Sequence, residues 1–232
     1  MPLTPYGLRE WLLILCLTAA LMVGSVALQW WWPAALIAVA GVALLSFFRD
    51  PIRRIPADLE PGDMLSPADG MISAVERVDH HVATDGPALI LRIYLSVLDV
   101  HVNRAPFDGE VRSLVHTPGR HLDVRIPESA HVNESNVITL AISNGETIGV
   151  KQIAGKVARR IVCPLAVGDR LRRGQKFGMI KFGSTTELIL PRPDDVKVHV
   201  AVGQKVYGGL TRLATLPLRP AAAADASDAH PA

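Results

Sequence analysis

The amino end constrains this chain more than any other feature. Trp11 to Leu28 is almost continuously apolar, and Pro33 to Phe48 is apolar again. Between them lies Gln29-Trp30-Trp31-Trp32. Each stretch is slightly short of the roughly 20 residues that cross a bilayer as a helix. Tryptophan suits the headgroup zone, where an amphipathic ring is stable. Arg9 precedes the first stretch, and Arg49, Arg53 and Arg54 follow the second. Positive charge at both outer ends, with none in the connection, predicts a helical hairpin over residues 1–48 with both ends in the cytoplasm. A hairpin that only dips into one leaflet satisfies the same pattern. A signal peptide fits less well, because a second apolar stretch follows and no clear cleavage site separates the two. The expected location is the cell membrane, with the remaining chain on the cytoplasmic side.

Residues 49–62 are rich in Pro, Arg and acids and read as a linker. Residues 217–232 form a low-complexity tail with little to bury, expected to be disordered. Residues 63–216 read as one domain of short strands. Ala88–Val97, Val137–Ser143, Thr147–Ile153, Thr186–Leu190 and Val196–Val202 are rich in Val, Ile and Leu and bounded by turn residues. Ser96 and Asp99 have capping-box spacing, which predicts a short helix starting at Ser96. Residues 167–174 and 202–209 share the pattern V-G-x-x-[LV]-x-x-G, two glycine turns around a short strand. That echo resembles the strand-turn units of lipoyl-like folds. The predicted class is mainly β, a β-rich α+β fold with a barrel-sandwich, lipoyl-like domain behind the apolar hairpin.

Charge and cysteine usage exclude several functions. The chain has 24 basic and 22 acidic residues, a net charge of +2, and no conspicuous Lys/Arg run, so nucleic acid is not an expected partner. Cys16 lies inside an apolar stretch, which leaves no pairing for Cys163 and no disulfide framework. His80, His81, His116, His121, His131 and His199 are scattered, with no metal-ligand spacing.

The sharpest chemical feature is Lys181-Phe182-Gly183-Ser184-Thr185-Thr186-Glu187. A lone Gly-Ser step is usually a turn between strands. Its chemical alternative is self-cleavage. Glycine presents an unhindered carbonyl that the following hydroxyl can attack. Serine is a weak nucleophile and needs a base. His101, in Tyr94–Pro106, titrates near neutrality and can move protons both ways; its plain alternative is a hydrogen-bonded core histidine. Asp69, in Ser66-Pro67-Ala68-Asp69-Gly70, is the candidate carboxylate to orient the imidazole. An Asp-Gly hairpin turn explains Asp69 equally, and Asp108-Gly109 as well.

Four segments in order, SPADG at 66–70, YLSVLDVHVNRAP at 94–106, IAGKVARRIVC at 153–163 and GQKFGMIKFGSTTELILP at 174–191, resemble the short bacterial and archaeal branch of the phosphatidylserine decarboxylase family. The resemblance covers roughly residues 49–212. It implies cleavage between Gly183 and Ser184, giving a beta chain of residues 1–183 and an alpha chain of residues 184–232 that stay associated. Ser184 would become a covalent pyruvoyl group, the cofactor, with Asp69 and a histidine assisting. Decarboxylation of phosphatidylserine to phosphatidylethanolamine would then run through a Schiff base, the electron-sink chemistry of pyridoxal phosphate, in phospholipid biosynthesis. His101 is the expected proton donor. Longer members carry a second histidine three residues further on, where this chain has Arg104; Asn133-Glu134-Ser135-Asn136 also departs from the short-branch pattern. Arg159-Arg160 and Arg172-Arg173 are candidates for the lipid phosphate. The substrate partner is phosphatidylserine in the membrane, and a homo-oligomer is left open. Two other classes stay open: a membrane-anchored lipoyl-like adaptor without catalysis, and a pyruvoyl enzyme acting on a soluble amino acid derivative.

Overall fold

The computed structural model describes residues 2–123, 125–126, 128–143, 145–156, 160–181 and 184–218. A 3-10 turn at Pro5–Gly7 leads into helix α1 (Leu8–Ala27), and helix α2 (Trp31–Ser46) returns antiparallel to it. This is the predicted hairpin. Helix α1 buries no residue and α2 buries only Ala34 and Gly41. Leucines and valines of both helices stand exposed. Apolar surface of that kind suits lipid rather than water. The helical segment Pro5–Ala27 is long and apolar enough to cross a membrane, whereas α2 is shorter.

The hairpin is closed at its base. Thr4 N–H donates to the Phe48 carbonyl at 2.8 Å and Asp50 N–H donates to the Pro2 carbonyl at 2.9 Å. Phe47, Phe48 and Met179 are buried there, with Leu3, Tyr6, Trp11 and Ile14 packed against them. Gly7 is required by this packing, since a Cβ would lie 2.2 Å from Phe48 Cδ1.

The strands are β1 (Asp63–Leu65), β2 (Gly70–His81), β3 (Gly86–Leu95), β4 (Val102–Arg104), β5 (Gly109–Thr117), β6 (Ser135–Ala141), β7 (Thr147–Ile153), β8 (Ile161–Val162), β9 (Arg170–Leu171), β10 (Lys176–Ile180), β11 (Ser184–Pro191), β12 (Lys197–Val198), β13 (Lys205–Val206) and β14 (Arg212–Thr215), with one short helix, α3 (Ser129–Val132), before β6. Eight form a sheet in the order β13-β2-β3-β11-β7-β6-β5-β9, and two three-stranded sheets, β1-β14-β12 and β4-β10-β8, complete a β-rich α+β fold. Strand β11 is central and covered on both faces. Leu188 and Leu190 enter the main core, while Ile189 joins Ala88 and Ile90 on the opposite face. Side chains alternate along a strand, so Ser184 and Thr186 share the main-core face.

Two expectations change. No helix starts at Ser96: residues 96–99 form a turn in which Asp99 N–H donates to the Ser96 carbonyl at 2.9 Å. The capping half is present, because the Asp99 carboxylate accepts from Ser96 N–H at 2.9 Å, but the chain then enters β4. The strand expected over Val196–Val202 is reduced to Lys197–Val198. The 49–62 segment has no helix or strand, yet ion pairs strap it to the domain. Asp50 pairs with Arg104 and Lys176, and Arg53 pairs with Asp69. Residues 219–232, most of the predicted tail, lie outside the described residues.

The V-G-x-x-[LV]-x-x-G echo has a physical form. Gly168 and Gly174 have φ of 92° and 76°; Gly203 and Gly209 have 87° and 73°. These left-handed conformations favour glycine. The strands they flank, β9 and β13, occupy the two opposite edges of the large sheet. Gly168 N–H donates to the Val111 carbonyl as Gly203 N–H does to that of Ile72. Asp108 accepts from Arg173 N–H at 3.0 Å, and Asp69 accepts from Gly208 N–H at 2.8 Å. Ala105-Pro106-Phe107-Asp108-Gly109 is therefore the counterpart of Ser66-Pro67-Ala68-Asp69-Gly70 in a second, pseudo-equivalent half.

Candidate active site

Neighbouring strands bring the candidate residues to one end of the sheet. Ser184 opens β11 opposite Leu95 at the end of β3. Tyr94 pairs with Thr185 on one side and with Met71 on the other. The Asp69-Gly70 step thus lies two strands from Ser184, roughly 10 Å across the sheet. His101 precedes β4, and its carbonyl accepts from Ile180 N–H at 3.3 Å. Ile180 ends β10, the strand whose chain continues toward Ser184. Gly183, the other side of the predicted cleavage bond, and Phe182 lie outside the described residues, as does Arg159.

Ser184 is fully buried, and its Oγ has no hydrogen-bond partner among the described residues. An unsatisfied buried hydroxyl costs roughly 1–3 kcal/mol. Ordinary structural serines are satisfied, so this one calls for an explanation.

His101 is also fully buried. Its Nδ1 lies 2.9 Å from the Asp99 carbonyl oxygen. A carbonyl only accepts, so Nδ1 carries the proton and the lone pair sits on Nε2. The Phe47 ring covers the imidazole at 4.3 Å between centroids. Burial pushes the His101 pKa down to about 4, against the opposing pull of the Asp99 carbonyl. The imidazole is neutral at pH 7, a base rather than a cation.

Asp69 is held differently from the expected triad. Arg53 grips both carboxylate oxygens, at 2.5 and 2.7 Å, and also donates to the Gly208 carbonyl at 2.6 Å. Both side chains of this pair are nearly inaccessible, at 8% and 6% exposure. The Asp99 carbonyl sets the tautomer of His101, and the Asp69 charge only weakly opposes the effect of burial on the imidazole. Sequence reasoning missed Arg53, reading it only as part of the positive flank of the hairpin.

A buried amide chain supports the strand behind Ser184. Asn103 Nδ2 donates to Thr186 Oγ1 at 3.1 Å, Gln152 Nε2 donates to Asn103 Oδ1 at 2.9 Å, and Asn136 Nδ2 donates to Gln152 Oε1 at 3.1 Å. Such a linked network fixes side-chain orientation in the core. Asn133, in the departing 133–136 segment that leads into β6, anchors its surroundings by donating to the carbonyls of Leu122 and Ala154. Arg104 is structural: it is buried and donates to Gly174 O, Pro51 O and Asp50.

The phosphate candidates separate clearly. Arg160 joins Arg9, Glu10 and Lys181 around a cavity of about 300 Å³ at the base of the hairpin. Lys181, three residues before Ser184, pairs with Glu10 at 2.5 Å. Arg173 instead stacks on Phe107 at 4.2 Å, and Arg172 borders a cavity with Arg112 and Arg170 by the β5–β9 edge.

The profile of the phosphatidylserine decarboxylase family matches residues 42–214. A phosphatidylserine decarboxylase proenzyme of Rhodopirellula baltica is 39% identical over 214 residues, covering 91% of this chain and 87% of the relative. One from Symbiobacterium thermophilum is 44% identical over 187 residues, covering 81% and 85%. Another, from Ralstonia nicotianae, is 40% identical over 192 residues, covering 83% and 86%. With a family profile spanning most of its length and relatives this similar over nearly all of it, the chain belongs to the phosphatidylserine decarboxylase family of enzymes.

Proposed function

We propose that this chain is a proenzyme that cuts itself between Gly183 and Ser184 and then decarboxylates phosphatidylserine to phosphatidylethanolamine and carbon dioxide at a membrane surface. The buried Oγ of Ser184, which has no hydrogen-bond partner among the described residues, carries this reading. It is a hydroxyl kept in the fold at the cost of a hydrogen bond, at the sheet end that also holds a neutral imidazole.

Self-cleavage needs a base, and the unprotonated Nε2 of His101 can serve as one. Removal of the Oγ proton lets oxygen attack the Gly183 carbonyl, moving the chain from amide to ester. Loss of the α-proton of residue 184 then expels Gly183 as a carboxylate. Water displaces ammonia from the resulting dehydroalanine and leaves a pyruvoyl group at residue 184. The buried position of Ser184, without a hydrogen-bond partner among the described residues, fits that group, which accepts hydrogen bonds but does not require donating one. When present, it supplies a ketone that captures an amine and draws electrons from the breaking carbon–carbon bond. His101 takes the proton that a substrate ammonium must lose and returns one to the carbon that loses carbon dioxide. Arg9 and Arg160, around the cavity at the hairpin base, offer cationic partners to the lipid phosphate. The exposed apolar hairpin anchors the domain in the cell membrane, on its cytoplasmic side, where a two-tailed substrate stays.

Intact mass spectrometry tests the first half. Two chains are expected, the alpha chain lighter by one ammonia than a simple hydrolysis fragment. Active material made of one uncut polypeptide overturns the reading in favour of another chemistry. Assay of detergent-solubilised phosphatidylserine against free serine tests the second half; preference for free serine overturns it.

The pH dependence follows from His101. Its folded pKa, about 4, lies below the free value of 6.5. Self-cleavage is expected to stay level from about pH 8 to about pH 5 and to fall only near the lower value. An acid limb at the free imidazole value, measured by timed gels, contradicts the buried base. Stability moves in the same direction. As pH falls below 6.5 the unfolded chain binds the proton first, so stability drops by on the order of 3 kcal/mol until both forms are protonated near pH 4.

A further inference from the structure

The turn between β3 and β4 carries two exposed apolar side chains at its tip, Val97 at 53% and Leu98 at 83% exposure. Turn tips are ordinarily polar, because they face water. This turn is braced rather than loose. Ser96 and Asp99 hydrogen-bond to each other through backbone and carboxylate, and Lys205 pairs with Asp99. It is also fixed to two functional elements. The Arg49 guanidinium donates to the Leu98 carbonyl, and His101 donates to the Asp99 carbonyl. Arg49 follows α2 by three residues, so the tip lies at the base of the hairpin. Ile52, in the same strap, is 90% exposed.

Resting on the membrane reading above, we propose that the Val97–Leu98 turn is a wedge that inserts among the headgroups and first acyl carbons of the bilayer beside the active site. Its occupant is lipid, for three reasons. The tip is continuous with the apolar hairpin through Arg49. Its side chains are too exposed for a folded core and too apolar for water. Its cationic neighbours, Arg49 and Lys205, suit the anionic surface of a membrane containing phosphatidylserine. The consequence is mechanical. The residue that fixes the tautomer of His101 belongs to the element that touches lipid, so the base is held at headgroup depth. A lipid can then present its serine without withdrawing its tails from the bilayer.

Two measurements on the full chain test this. In Leu98→Asp, the ratio of activity on phosphatidylserine vesicles to activity on dissolved short-chain phosphatidylserine is expected to fall about 10-fold or more, since a charged tip opposes insertion. An unchanged ratio overturns the wedge. Second, a nitroxide is placed at Leu98→Cys, with Cys16→Ser and Cys163→Ser, in phosphatidylcholine–phosphatidylglycerol vesicles. A matching label at Leu21→Cys in α1 reports the hairpin. Both labels relaxed by dissolved oxygen and shielded from a water-soluble nickel chelate is the expected result. A shielded label at 21 with an exposed one at 98 overturns the wedge and leaves the hairpin anchored. Exposure of both overturns the membrane reading and the wedge with it.

Discussion

Ser184→Ala is expected to keep the purified chain in one piece and to lower phosphatidylserine decarboxylation by at least about 10⁴-fold, the scale on which removal of a nucleophile acts. The change is unusually clean. Deleting a buried hydroxyl normally breaks a hydrogen bond and costs stability, but Ser184 Oγ makes none among the described residues. Alanine therefore relieves an unsatisfied polar atom, and the variant is expected to melt no lower than an uncut wild-type chain. Residues 185–191 keep their pairings to β3 and β7, which depend on backbone alone. A whole, well-folded and inactive chain assigns the loss to chemistry. A denaturing gel, the melting temperature and carbon dioxide release measure the three parts separately. Cleavage at the same bond without the hydroxyl would remove Ser184 from the reaction.

Much of this site was legible because its signals are local. The apolar hairpin, the strand Thr147–Ile153 and the glycine echo each follow from neighbours in sequence: hydrophobic runs, side-chain alternation, and turns that need positive φ. Ser184, His101 and Asp69 stand on such motifs. What was not legible is long-range. Arg53 and Asp69 are 16 residues apart in the chain, and their bidentate pairing depends on how the strap crosses the domain. Phe47 covers His101 although one belongs to the hairpin and the other to the sheet. The Asn103–Gln152–Asn136 chain joins three strands, and nothing in the sequence marks those amides as partners. The false helix at Ser96 has a local cause. Asp99 does cap Ser96, but a cap starts a helix only if the following residues continue it. Val100 to Arg104 instead carries β-branched residues into β4.

Breaking the Arg53–Asp69 pair is expected to cost about 3–5 kcal/mol from either side, because each single change leaves one buried charge without its counter-ion. Asp69→Ala leaves the Arg53 guanidinium with the Gly208 carbonyl, and Arg53→Ala leaves the carboxylate with the Gly208 N–H. The double variant removes both charges, so its cost is expected to fall well below the sum of the two. Self-cleavage separates stability from chemistry. If Asp69 serves only the fold, the double variant recovers cleavage along with stability. If its charge is needed at the imidazole, the double variant is stable but slow, and that is the expected outcome, since Asp69 is among the charges acting on His101. The pseudo-equivalent half supplies the control. Asp108 accepts the matching backbone N–H from Arg173 but has no ion pair among the described residues. Asp108→Ala is therefore expected to cost only about 1 kcal/mol and to leave cleavage intact. Denaturant unfolding in detergent, run beside timed gels on all four variants, decides it: equal losses at Asp69 and Asp108 would reduce Asp69 to an ordinary turn residue.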